Sequence, residues 1–367
     1  MTDVVVVGGG PAGLAAAIAA RLRGLRVVLA DTSIPPIDKA CGEGLMPDGV
    51  AALRALGVLP EQCEHAIFRG IRFVGPHGSA EAQFPSGHGV GLRRTVLHDA
   101  LRRRAAELGV EMKWGARVSG IAPGSASIDH EVVGTKWIVG ADGHNSRVRE
   151  WSGLSRTSRK SFRVGLRRHF RVERWTDLVE VHWGNSGQAY VTPVAEDELC
   201  VAVISRDRRV DFDAVICECP GLARNLRNAA PLDEIRGSAT ATYSLRSVIR
   251  EGVALVGEAS GSVDAITGEG MALAFRQAVQ LGKAIAGNDL RGYAAAHHQI
   301  SRLPNLLGSA MLLMDRSATF RGRVLKALCG NPAMFEHLLA VHLGEASPFD
   351  FGVYGLATLG WQLLTAR

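Results

Sequence analysis

Residues 1–31 read MTDVVVVGGGPAGLAAAIAARLRGLRVVLAD, and the order of their parts decides the fold. Val4–Val7 is an unbroken β-branched run, the pattern of a parallel strand buried on both faces. Gly8-Gly9-Gly10-Pro11-Ala12-Gly13 follows and carries GxGxxG; Leu14–Ala20 continues as a helix, and Arg26–Ala30 is a second apolar strand ending on Asp31. Gly8 permits the tight turn, Gly10, with Ala12 in the same turn, lets the backbone approach a pyrophosphate, and Gly13 lets the helix pack close on the strand. The helix start offers free N–H groups and the positive end of its dipole to phosphates. Asp31, about twenty residues on, can accept hydrogen bonds from both hydroxyls of a ribose. Strand, glycine turn, helix, strand and acid in this order specify a dinucleotide site, but the motif alone does not separate FAD from NAD.

Working outward, a loop around Lys39-Ala40-Cys41-Gly42-Glu43-Gly44 leads to a helix over Met46–Leu56. Short strands are expected at Ile71–Val74 and Ala80–Phe84. Val96, Leu97, Ala100, Leu101 and Leu108 keep helical spacing over Thr95–Leu108. Strands follow at Glu111–Trp114, Arg117–Ile121 and Trp137–Val139, the last running into Gly140-Ala141-Asp142-Gly143. From Ser161 to Asp207 the pattern changes. Arg163–Val172, Leu178–Trp183, Gln188–Val194 and Glu198–Ser205 alternate or run apolar at strand length with little helix between them, which predicts an antiparallel sheet as a second layer. A helical stretch near Phe212–Asn228, a strand ending at Ser247 and a buried strand at Val253–Val256 come next. Gly270–Ala286 then reads as a long helix, and the remainder to Arg367 as helical and apolar on one face.

The length of 367 residues suits two joined domains. Residues 1–160 with 248–290 are expected to form a discontinuous nucleotide-binding domain, 161–247 with parts of 65–90 a sheet domain for substrate, and 291–367 a helical C-terminal region. The net charge of +6 comes from scattered residues, most of them arginine, so no nucleic-acid partner is expected. Six cysteines, at 41, 63, 200, 217, 219 and 329, show neither CxxC pairs nor metal-ligand spacing. Reduced thiols, no metal and a cytoplasmic location follow as expectations. The N-terminus lacks the basic and apolar regions of an export signal, and no window reaches the roughly 18 apolar residues of a membrane span. The nearest, Phe351–Ala366, is short and glycine-bearing; peripheral membrane contact stays compatible.

Three motifs therefore stand in order: GGGPAG at 8–13, GADGHNSRVR at 140–149 and LVGEASGSVDAITGEGMALAFRQA at 255–278. Together they resemble the FAD-dependent oxidoreductases that include the single-component aromatic hydroxylases and the geranylgeranyl reductases. The resemblance implies a Rossmann-type α/β FAD-binding domain interleaved with an antiparallel substrate sheet. It places Asp142 and Gly143 beside the FAD pyrophosphate, where NAD(P)H docks transiently as reductant, and Val118, ending a strand, against adenine. Glu258 stands where the family has Asp on the ribityl chain. Gly268, Gly270 and Met271 open a helix whose N–H groups face the flavin and stabilise its reduced, negative form. Arg94, at the start of a long helix, lies near the cofactor.

No second strand-GxGxxG-helix unit and no CxxxxC redox pair is present, which removes the disulfide reductases. The Trp-x-Trp-x-Ile-Pro signature of the flavin halogenases is also absent. Lys39–Gly44 and Val263–Gly270 resemble the reductase side, whereas Arg93–His98 and Tyr190–Val194 resemble hydroxylases. The favoured expectation is an NAD(P)H-using monooxygenase that hydroxylates a small lipophilic or aromatic, polyketide-like substrate through a C4a-hydroperoxyflavin. The alternative is reduction of isoprenoid C=C bonds, and a further one a non-catalytic flavin- or prenyl-binding protein. Cys41 is the candidate catalytic residue: flanked by small residues it can approach a flavin, and a lowered pKa would make it reactive, whereas a small apolar filler is the plainer role. His182, Trp183 and Tyr190 on the second sheet either face substrate or fill core. Leu303–Met314 and Phe335–Leu343 either cover a lipophilic substrate or pack on the sheet.

Overall fold

The computed structural model describes residues 2–76, 78–154, 156–347 and 350, without the side chains of 156–160. Phe351–Ala366 lies outside the described residues.

Val4–Val7 forms the centre of a parallel sheet whose strands run, in spatial order, Val253–Leu255, Glu131–Gly140, Thr2–Val7, Val27–Asp31 and Glu111–Trp114. Ile249–Arg250 adds an antiparallel edge to Val253–Leu255. The four valines alternate in direction. Val4 and Val6 pack towards the helices Pro11–Arg21, Arg94–Glu107 and Gly270–Ala286, while Val5 and Val7 pack on the other face beside Val148 and Leu154. Each is at most 7% exposed, so each contributes about 1.5–3 kcal/mol of burial. On that second face Val118–Ala122 and Ser125–Ile128 form an antiparallel meander with Glu131–Gly140.

Small residues let the first helix approach its neighbours. A Cβ on Gly13 would stand 1.8 Å from the Gly8 carbonyl oxygen, and one on Gly282 would stand 2.7 Å from that of Ala19. The alanine-rich helix Pro11–Arg21 is thereby held between the sheet and Gly270–Ala286.

The second sheet is built around the long strand Arg156–Arg171, which pairs antiparallel with Glu198–Ser205 and Arg236–Leu245. Gln188–Pro193 and Val179–Trp183 continue it antiparallel. One pairing departs from the expected arrangement: Val179–Trp183 runs parallel to Gly70–Gly75, which then pairs antiparallel with Gly78–Gln83. Alternation along a strand reports its buried face, not the direction of its neighbour. The expected helix Phe212–Asn228 is two helices, Phe212–Cys217 and Pro220–Leu226. Pro220 disfavours helical backbone at the preceding Cys219, so the first helix stops before it and the proline opens the second.

The C-terminal region is helical as expected, over Leu290–Arg316, Ala318–Gly330 and Pro332–Leu343. Met334, Phe335, Leu339 and Leu343 pack on the second sheet with Phe68, Ala80 and Ala82. Trp183 is buried there beside Leu325, and His182 pairs with Glu180, so both serve the core. No helix among the described residues is long and apolar enough to cross a membrane.

Candidate flavin site

The parallel strands place Gly8, Asp31, Asp142 and Gly257 at their carboxyl ends, where ligands bind in open α/β sheets. There a cavity of about 1200 Å³ opens between the two sheets, larger than the roughly 300–1,000 Å³ common for a single small ligand. Every cofactor residue singled out in the sequence lines it except Gly13, which instead packs under Gly8. Cys41 lines it too.

The glycine loop is shaped by its neighbours. Gly8 has φ +109°, and a Cβ there would stand 2.4 Å from the Ala141 carbonyl oxygen. The Gly9 N–H donates to Asp31 Oδ2 at 2.6 Å, and the Ser33 N–H to Oδ1 at 2.7 Å. Asp31 therefore braces the loop, and each oxygen keeps a further lone pair for a ribose hydroxyl. His98, buried on helix Arg94–Glu107, has its Nε2 2.9 Å from the Gly9 carbonyl oxygen. Burial lowers its pKa, so the neutral ring donates there. In the sequence it stood only as the last residue of the hydroxylase-like segment Arg93–His98, with no role given to it.

The residues present fit FAD. Gly10, Gly42, Gly268 and Gly270 each have open space where a Cβ would stand. Helices Pro11–Arg21 and Gly270–Ala286 both begin at this cavity without a side-chain cap, leaving N–H groups for pyrophosphate and for the flavin pyrimidine edge. Arg94 Nε is buried without a partner among the described residues. We expect Asp31→Ala to weaken FAD binding by about ten- to a hundredfold, since it removes charge-assisted hydrogen bonds of about 1.5–3 kcal/mol; titration of flavin fluorescence checks this.

Other candidates sit differently from expectation. Val118 begins its strand rather than ending one, because Ala116–Arg117 still belong to the turn after Trp114. The Asp142 carboxylate accepts from the Ser146 hydroxyl and from the N–H groups of Arg147 (2.7 Å) and Val148 (3.1 Å). It caps the short helix Arg147–Trp151, and Asp142 and Gly143 both line the cavity. Glu258 is ion-paired with Lys39 at 2.9 Å, which joins the third motif to the cysteine loop. Tyr243, with its hydroxyl against the Glu258 carbonyl and Arg149 Nη1 2.9 Å away, supports that turn from beneath.

Cys41 lies against Met271, with 3.9 Å between sulfurs. Burial raises its pKa, outweighing the nearby Arg94 guanidinium. A lowered thiol pKa is thus not what this environment produces, and Cys41 is a neutral thiol at neutral pH. Behind it Glu43, His169 and Cys200 bring potential metal-ligand atoms close together. A direct Glu43–His169 contact of 2.6 Å fills the space between those two groups, and the Arg167 guanidinium supplies positive charge beside them.

The cavity has two further walls. Leu166, Tyr190, Ala202, Val203 and Ile204 come from the second sheet. The Tyr190 hydroxyl donates to the Ile266 carbonyl at 2.7 Å. His297, His298 and Arg302 come from helix Leu290–Arg316. Burial lowers the pKa of His297 to about 4, and its Nε2 lies 2.9 Å from the Ser260 hydroxyl.

A parallel sheet with helices on one face and a β-meander on the other, a GxGxxG turn at its switch point and two uncapped helix starts on one cavity fit a flavin-binding protein. The chain belongs to the FAD-binding domain family, whose model matches residues 1–298. It is 37% identical over 155 residues to menaquinone reductase of Mycobacterium tuberculosis, a match spanning 39% of this chain and 38% of that protein. With menaquinone reductase of Mycolicibacterium smegmatis the identity is 28% over 298 residues, 73% and 72% of the two chains. With rifampicin monooxygenase of Streptomyces venezuelae it is 28% over 164 residues, 42% and 34% of the two. The fold is similar to that of a flavoprotein/dehydrogenase from Cytophaga hutchinsonii, with a TM-score of 0.82 at 18% identity over 99% and 98% of the chains.

Proposed function

We propose that this protein is an NAD(P)H-dependent monooxygenase acting on a small lipophilic aromatic molecule held in the sheet-side arm of the cavity. One observation carries the reading: that arm is walled by Ala202 and Ile204, which share an apolar cluster with Tyr190 and Ile266, and the hydroxyl of its aromatic residue, Tyr190, is already committed to the Ile266 carbonyl. Such a wall offers apolar contact and excludes water, which oxygen transfer requires. Bound FAD would supply electron transfer from the pyridine nucleotide to dioxygen. The chain's own part is orientation and electrostatics. The start of helix Gly270–Ala286 stabilises negative charge on the cofactor, and Gly10 with the start of Pro11–Arg21 holds its phosphates. Arg94 lines the same space and adds a positive charge beside it.

Reduction of an isoprenoid C=C bond is the second reading, and the neutral thiol of Cys41 favours it, because such a group can give a proton to the carbon next to the one that accepts hydride. The names of relatives that align over about three quarters of their length, menaquinone reductase and digeranylgeranylglycerophospholipid reductase, accord with it. Turnover with NADH or NADPH under isotope-labelled dioxygen separates the two. One labelled oxygen in a long-chain phenol per NAD(P)H consumed supports oxygen transfer. A saturated prenyl chain formed anaerobically, with no oxygen incorporated, overturns it in favour of reduction.

A further inference from the structure

Behind the cavity wall, His169 is wholly buried between two carboxylates. Its Nε2 is 2.6 Å from Glu43 Oε2 and its Nδ1 2.7 Å from Asp233 Oδ2. Glu43 is itself buried, in a left-handed conformation (φ +59°) unusual for a side-chain-bearing residue. It is the knot of the cysteine loop. Its N–H donates to Cys41 Sγ at 3.4 Å, its carbonyl accepts from Leu92 at 3.1 Å, and its Oε1 accepts the Arg94 N–H at 3.0 Å. Cys41 and Arg94 both line the cavity.

We propose that His169 is a positioning residue: clamped by Glu43 and Asp233, it holds the Lys39–Gly44 loop and the start of helix Arg94–Glu107 so that Cys41 and Arg94 face the cavity. The clamp requires the imidazolium. Two ionised carboxylates only accept, and a neutral ring has one N–H to give; losing the second proton turns a lone pair towards one carboxylate. The surrounding charges fit the same state. Arg167 lies against the ring and pairs with Asp38 at 2.9 Å, Arg236 pairs with Asp38 at 2.8 Å, and Arg93 pairs with Glu198. With His169 protonated these cations balance Asp38, Glu43, Glu198 and Asp233. The Cys200 thiol, pushed well up by burial and by Glu43, stays neutral. Burial and Arg167 press the His169 pKa down, but the bonds to Glu43 and Asp233 prevail and raise it above 6.5. The clamp is therefore fully present below the ordinary histidine value and is lost as pH rises through the raised one.

The inference rests on the reading of this cavity as the active one, and its test needs no turnover, so the two can fail separately. In the FAD-loaded protein, alkylation of Cys41 by iodoacetamide is followed by peptide mass spectrometry across neutral pH, relative to the exposed Cys217 in the same sample. The expected ratio is low at acidic pH and steps up about tenfold as the clamp opens. His169→Gln should show the higher ratio at every pH with no step. Asp233→Asn, at a residue only partly buried, should move the step to lower pH by removing one carboxylate, and decides the matter if the histidine variant does not fold. Equal profiles for wild type and His169→Gln, or an unmoved step in Asp233→Asn, overturn the proposal.

Discussion

Gly10→Ala is expected to yield a protein that folds normally and fails to retain flavin. Gly10 has φ −70° and ψ 178°, a conformation open to any residue. A methyl group there meets no protein atom within 4 Å, so nothing in the fold opposes it. It does occupy the space through which a pyrophosphate would reach the start of helix Pro11–Arg21. FAD affinity should fall by about ten- to a hundredfold, while the apo-protein's thermal midpoint stays at the wild-type value. Gly13→Ala is the opposite case. Its methyl group would stand 1.8 Å from the Gly8 carbonyl oxygen, and such overpacking costs about 1–3 kcal/mol or more, so stability and flavin are lost together. Flavin absorbance per chain, read beside a melting curve, separates a glycine that makes room for a ligand from one that makes room for the fold. Wild-type affinity in Gly10→Ala would mean that the phosphates pass elsewhere.

The largest effect on stability is expected at Arg163, which is 1% exposed and inside the second sheet. Its guanidinium pairs with Asp264 at 2.6 Å and with Asp315 at 2.9 Å. Arg163→Met fills much of the same volume but leaves two carboxylates facing each other with less compensation. Breaking a buried pair in this way costs about 3–5 kcal/mol. Arg206 still reaches Asp315, so the damage should centre on Asp264. That residue accepts from the Ile266 N–H and the Thr242 hydroxyl, and so shapes the turn leading to Gly268 and Gly270. Denaturant unfolding should show the loss, and adding Asp264→Asn should recover part of it by removing the stranded charge. No recovery in the double variant would show that the arginine acts through packing alone.

Much of the nucleotide-binding half was legible in the sequence because its constraints are local. A β-branched run, a glycine turn and an alanine-rich helix each announce themselves within a few residues, and Gly270–Ala286 has the expected bounds. Where partners are distant, the sequence was silent. Glu43, His169 and Asp233 are far apart along the chain and meet only through the register of the strand Arg156–Arg171. The visible trace was charge at alternate positions, Arg163, Arg167 and His169, on a strand that buries them all. Asp142 was legible as a residue of the site but not in its geometry, since its carboxylate is taken by a helix start five residues later. The thiol of Cys41 was legible as a neighbour of the cavity, but its protonation depends on burial beneath other segments of the chain.

The measurement that tests the account most directly is anaerobic titration of the purified protein with FAD, followed by addition of NADH or NADPH. The account predicts one tightly held FAD per chain, lost in Gly10→Ala, whose visible absorbance is bleached by a pyridine nucleotide. A wild-type chain that binds no flavin, or one whose flavin neither nucleotide reduces, would contradict it.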